Sequence, residues 1–206
     1  MVQLDRKKHW ENIYQTRQTK EVSWFQAKPE TSLQFIESYN LPKSAKIIDI
    51  GGGDSLLADN LLDIGFQDIT VLDISETAIE KARKRLGNRA NEINWIVADV
   101  TSFKPTEKYD LWHDRAAFHF LTKEIEILNY IKTAEQYINT KGLMIIATFS
   151  ELGPQKCSGL NIVQYSEISM NELFKNSFEK IECVTINHTT PSGSIQNFIF
   201  CAFRKT

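Results

Sequence analysis

Short apolar runs alternate along this chain with stretches whose apolar residues recur every three or four positions. The runs at 45–50, 68–73, 93–98, 109–114 and 143–149 each read as a strand buried on both faces. Between them, Leu57, Leu61 and Ile64 share one helical face, as do Ala78, Ile79, Ala82 and Leu86, with Ser75 placed to cap the second helix. A longer helix is predicted over 122–139. Strands separated by helices imply parallel pairing, with helices covering both faces of the sheet.

Both ends of the chain break this rhythm. Trp10, Ile13 and Tyr14, then Leu33, Phe35 and Ile36, predict two short helices around the aromatic segment EVSWFQ, residues 21–26. After a loop at 151–164 comes a helix near 169–176. Two strands follow, 178–187 and 195–203, joined by HTTPSGS with no helix between them, so they should be antiparallel. The predicted fold is α/β: a Rossmann-like, seven-stranded, mostly parallel sheet with an antiparallel C-terminal hairpin and helices on both faces. One domain is expected over 1–206, with 1–44 as a helical lid and 45–206 as the core.

The chain has 206 residues, 42 % of them hydrophobic and 24 % charged, enough for a sizeable core. A formal net charge of −2 supplies no field for a phosphate backbone, so nucleic acid is not an expected partner. No stretch approaches a membrane span, and the first residues lack the apolar core of a secretion signal. The three cysteines form no CxxC pair. They predict neither structural zinc nor a disulfide framework, and they fit a reducing, cytoplasmic setting. Nothing in the sequence sets the oligomeric state.

The candidate chemistry begins at IIDIGGGDSLLADNLL, residues 47–62, where a buried strand meets Gly51, Gly52 and Gly53 and then a helix. Glycines permit a tight turn and let a ligand approach the backbone. Asp73 ends the second strand, placed to accept both ribose hydroxyls of an adenosine, with Ile74 beside it. Asp99 follows the third strand, where an acid can accept from the adenine amino group. Asp49 and Asp54 flank the glycines and would repel a pyrophosphate, and Leu56 stands where dinucleotide sites need a further glycine. A cationic nucleoside fits these signs better than NAD does.

On these residues the chain resembles the class I S-adenosylmethionine-dependent methyltransferases, from about residue 45 to the end. The resemblance implies S-adenosyl-L-methionine as cofactor. It places Asp49, Gly51 and Gly53 at the amino-acid end, Asp73 at the ribose, and Asp99 and Val100 at the adenine. Ser55 replaces the third glycine of the common pattern. YDLWHDRAAFHFL, residues 109–121, puts Asp114 near the methionine end. Its Asp-Arg-Ala run is similar to the Asp-Arg-Gly run of thiopurine methyltransferase-like enzymes, which would make Arg115 a substrate contact. EVSWFQ is similar to their aromatic lid, with Trp24 and Phe25 over the cofactor. His119 is the candidate base, and His113 is expected to be structural. Cys157 borders the expected substrate pocket, and His188 lies where it can reach the top of the sheet. The expected activity is methyl transfer to a small molecule. Protein lysine methylation and an NAD-dependent oxidoreductase are the alternatives.

Overall fold

A computed structural model describes residues 5–206; the first four residues of the expected lid segment lie outside the described residues. Seven strands form one sheet: β1 (Lys46–Ile50), β2 (Asp68–Asp73), β3 (Ile93–Val97), β4 (Tyr109–Arg115), β5 (Ile138–Phe149), β8 (Phe178–Thr189) and β9 (Ile195–Lys205), in the order β3-β2-β1-β4-β5-β9-β8. The first five run parallel, and β9 pairs antiparallel with both β5 and β8. Two short strands, β6 (Lys156–Cys157) and β7 (Leu160–Asn161), make a small hairpin inside the loop after β5.

The apolar runs are explained by two cores, one on each side of the sheet. On β5, Leu143, Ile145, Ala147 and Phe149 face one core while Met144 and Ile146 face the other. On β9, Phe198, Phe200 and Ala202 alternate in the same way with Ile199, Cys201 and Phe203. Helices α2 (Glu30–Ser38) and α3 (Leu57–Asp63) cover the first side; α5 (Glu124–Tyr137) and α6 (Glu167–Phe174) cover the second. Helix α4 (Glu76–Leu86) buries Ala78, Ile79 and Ala82, and Ser75 Oγ accepts from the Ala78 N–H at its start. Helix α1 (Arg6–Thr16) lies across the top, against α4. Among the described residues no helix is long and apolar enough to cross a membrane.

Two expectations are corrected. Residues 138–139, read as the end of the helix, open β5 instead: Ile138 pairs with Tyr109 before a register shift, and Lys141 turns the chain at φ 66° ahead of Gly142. Cys183 and Cys201 lie directly opposite each other on β8 and β9 and are joined as a disulfide. They stand 18 positions apart in sequence, so the spacing carried no cysteine motif; only the hairpin register brings them together.

Closing a loop of that length stabilises a fold by about 3 kcal/mol through the unfolded chain. Reduction with dithiothreitol is therefore expected to lower the urea midpoint, and Cys183→Ala to lower it equally and abolish the reductant effect. An oxidised and a reduced sample with the same midpoint would contradict the bridge.

Candidate active site

The carboxyl ends of the parallel strands are where an open α/β sheet leaves a crevice, and the main apolar cavity among the described residues opens there. It holds about 830 Å³ between atoms, counting its mouth. Gly51, Asp73, Ile74, Asp99 and Val100 line the half over β1 to β3, with Leu121 across from them. The other half is walled by Phe120, Phe149, Cys157, Gln196 and Phe198. Trp10, Tyr14 and Trp24 cover it from the N-terminal segment.

The glycine turn sits tightly among its neighbours. Gly51 and Gly53 adopt φ 66° and 43°. A Cβ on Gly51 would lie 2.6 Å from Ala117 Cβ, and one on Gly53 would lie 2.7 Å from Asp73 Oδ2 and 2.9 Å from the Tyr14 hydroxyl. Gly52 has the same constraint below it, from the Asp49 carboxylate at 2.5 Å. Three bare backbone positions thus let the loop after β4, the end of β2 and the lid converge on one point.

Of the acids, Asp73 is buried and lines the cavity; its Oδ1 accepts from the Ser75 N–H at 2.8 Å. Burial, with repulsion from Asp49 and Glu11 added, lifts its pKa to about 7 against hydrogen bonds from the Ser75 and Ile74 backbone. Asp99 stands at the mouth, its Oδ1 accepting from the Thr101 N–H and hydroxyl, with Arg6 3.7 Å from Oδ2. Asp49 lies beneath the turn instead of in the cavity: His113 Nδ1 donates to it at 2.7 Å, and His113 Nε2 sits 2.9 Å from the Ser32 hydroxyl. His113 is thus held on both ring nitrogens in a fully packed interior, as expected of a structural residue. Asp54 is paired with Arg85 and the Thr19 hydroxyl, so it does not contribute the free charge the sequence suggested.

Two further candidates lie outside the cavity. Asp114 is fully buried and accepts from the N–H groups of Ala117 (2.9 Å) and Phe118 (3.1 Å) and from the Tyr130 hydroxyl (2.8 Å). Burial raises its pKa to about 6 despite these donors. It shapes the loop that presents Ala117 to Gly51. His119 is also fully buried: the Phe149 N–H donates to its Nδ1 at 3.3 Å, and Nε2 has no partner among the described residues. Burial alone lowers its pKa to about 3, so the ring is neutral and does not reach the cavity wall. His188 Nε2 donates to the Ser23 carbonyl at 2.7 Å, pinning the loop that carries Trp24.

The helical spacing of Trp10 and Tyr14 was legible, but not their place over the cavity. Trp10 meets Trp24 at 5.7 Å and Phe120 at 5.0 Å between ring centres, both edge to face. Glu11, between them in sequence, anchors α1 on the start of α4: it accepts from the Glu76 N–H at 2.7 Å, the Ser75 hydroxyl at 3.0 Å and the Thr77 N–H at 3.2 Å. Arg6 adds a two-pronged ion pair with Glu126. Of the lid pair, Trp24 lines the cavity, whereas Phe25 lines a smaller hollow beside it.

Residues 47–142 match the family model described as a methyltransferase domain. The match takes in 96 of the 206 residues, the part that carries the glycine turn and the acids at the ends of β2 and β3. It is 31 % identical over 121 residues to the mouse eEF1A lysine and N-terminal methyltransferase, covering 58 % of this chain and 17 % of that protein. It is 30 % identical over 96 residues to malonyl-[acyl-carrier protein] O-methyltransferase 1 of Ilyobacter polytropus, covering 46 % of this chain and 35 % of the relative. The chain thus spans well under half the length of these relatives. The whole fold superposes on the N-methyltransferase NodS of Bradyrhizobium japonicum, solved with S-adenosyl-L-homocysteine, with TM-score 0.73, 16 % identity and coverage of 98 % and 99 % of the two chains. A structure from work on the conversion of a disulfide bond into a thioacetal group during echinomycin biosynthesis gives TM-score 0.79 at 17 % identity, covering 97 % and 92 %.

Asp114→Ala is expected to strand three buried donors, at roughly 1–3 kcal/mol each where no water replaces the carboxylate. The urea midpoint should fall accordingly. A variant as stable as the wild type would show that Asp114 does not organise the loop after β4.

Proposed function

We propose that this chain binds S-adenosylmethionine in the main cavity and transfers its methyl group to a small-molecule acceptor. The observation that carries the reading is Asp73: a buried carboxylate at the end of β2, within 3 Å of the position a side chain on Gly53 would take, in a cavity that a glycine turn keeps open. A ribose offers two hydroxyl donors to a carboxylate that has one strong donor of its own, and Ile74, Val100 and Leu121 supply the flat apolar walls an adenine needs. A dinucleotide fits less well, since α3 is only seven residues long and Leu56 precedes it.

When bound, the cofactor supplies a methyl group activated by a sulfonium and a neutral thioether leaving group. The chain supplies position and dryness. Trp10, Tyr14 and Trp24 exclude water from above, and Phe149 and Phe198 shape the acceptor side. Cys157 faces that side as a neutral thiol, because burial pushes its pKa up to about 11. With His119 behind the wall and His188 tied to Ser23, the described residues place no neutral-pH base on the acceptor side, so the reaction favours an acceptor that is already nucleophilic. The relatives named above act on proteins and on an acyl carrier; the enclosed aromatic wall supports a small acceptor for this chain.

In calorimetry, S-adenosylhomocysteine should bind the wild type and NADH should not; the reverse would end the reading. Asp73→Asn is expected to weaken S-adenosylhomocysteine about 10–100-fold, from roughly 1.5–3 kcal/mol of charged hydrogen bonding.

The same variant tests the raised pKa. A folded-state pKa above the unfolded value gives stability that is present below about pH 4 and lost as the pH rises through about 7. Ligand-free Asp73→Asn should therefore melt higher than the wild type at pH 8, with the difference shrinking towards pH 5. A variant that melts lower at pH 8 would mean that the carboxylate is not held in a desolvated site.

A further inference from the structure

We infer that Arg115 holds the α-carboxylate at the amino-acid end of the bound cofactor, and so governs donor binding rather than the choice of acceptor. This rests on the reading above. Arg115 ends β4 and is followed by Ala116 at φ 71°, an uncommon conformation for a residue with a side chain, and then by Ala117, which abuts the glycine turn. Its backbone is therefore fixed against Gly51. Its side chain lines the main cavity and also the small hollow formed by Val22, Phe25, Pro29, Ser55 and Leu56, on the far side of the glycine turn from Asp99.

The charges around it are otherwise spent. Arg6, the other cation of the cavity, sits at the mouth on Glu126 and Asp99. Arg85 is shared between Asp54 and Asp59. Among the described residues Arg115 makes no ion pair; its one hydrogen bond goes to the Trp24 carbonyl at 2.5 Å, a neutral acceptor. A guanidinium has five N–H donors, and a half-buried one without an anionic partner leaves most of them unused. Burial accordingly lowers its pKa to about 10, against attraction from Asp49, Cys157 and Tyr14. Cys157 is near, but as a neutral thiol it does not satisfy the cation.

A ligand anion completes this arrangement. With the acids Asp73 and Asp99 at one end of the cavity and Arg115 at the other, a ligand carrying a nucleoside and a carboxylate is bound in one orientation only. The Trp24 carbonyl links the same guanidinium to the lid, so an occupied carboxylate site also orders the segment above it.

The test separates the two ends of the ligand by calorimetry. The probes are S-adenosylhomocysteine and 5′-methylthioadenosine, which keeps the nucleoside and sulfur but lacks the amino-acid part. Arg115→Gln is expected to weaken S-adenosylhomocysteine at least 10-fold and to leave methylthioadenosine within twofold of the wild type. Arg115→Lys, which keeps the charge but not the fork, should fall between. Unchanged S-adenosylhomocysteine affinity in Arg115→Gln would overturn the inference and assign the guanidinium to the acceptor. Equal weakening of both ligands would overturn it in favour of a role in holding the lid alone. If the wild type itself fails to bind S-adenosylhomocysteine, the cofactor reading falls first and this assignment with it.

Discussion

The absence of side chains at the end of β1 is the constraint on which the rest of this molecule depends. Ala117 from the loop after β4, Asp73 from β2 and Tyr14 from α1 each come within 3 Å of where a Cβ would stand on Gly51 or Gly53. Three chain segments distant in sequence therefore meet because none of them has to make room. Were any of these glycines replaced, the neighbour to move would be a buried carboxylate, a packed backbone or the lid. Each of those displacements is costly in an interior packed at crystal density.

What surrounds this point is organised to hold it. Asp114 and Tyr130 brace the loop that carries Ala117, and the Asp49–His113–Ser32 chain braces the floor. Glu11 ties α1 to the N-terminus of α4, where helix N–H groups lack partners of their own. Burial opposes the Glu11 charge, but hydrogen bonds from Thr77, Glu76 and Ser75 outweigh it and hold its pKa below the ordinary value. The lid is thus attached by charge-assisted contacts that require Glu11 ionised, while the cavity beneath keeps Asp73 near its titration point. The desolvated acid is a cost in stability that the fold bears at neutral pH.

Much of the architecture was readable because each strand declared its burial. The run FIFCAF in β9 is apolar on both faces, which already marks it as an interior strand, whereas FEKIECVTINHT in β8 carries polar residues along its whole length and is mostly exposed, as an edge strand is. The order with β9 between β5 and β8 follows from that contrast. The helix boundary after Tyr137 was less readable, because Ile138–Asn139 suits either a helix end or a strand start, and the register shift opposite Tyr109 decided it. At the site, Asp73, Ile74, Asp99 and Val100 were legible because a strand-end position fixes where a side chain emerges. Asp114 and His119 were not: their neighbours in sequence say nothing of the Tyr130 hydroxyl or the Phe149 amide that claim them.

The sequence by itself determined the sheet, its parallel part and closing hairpin, the glycine turn, and the acids at the tips of β2 and β3, since all of these follow from local periodicity and from residue type at strand ends. Only the tertiary structure decided which charges are free. It gave Asp54 to Arg85, Asp49 to His113 and His188 to Ser23, joined Cys183 to Cys201, and left Arg115 facing the cavity with a carbonyl as its hydrogen-bond partner. The reason is that pairing of side chains depends on distances between segments far apart in the chain, and pattern along one strand or helix carries no record of them.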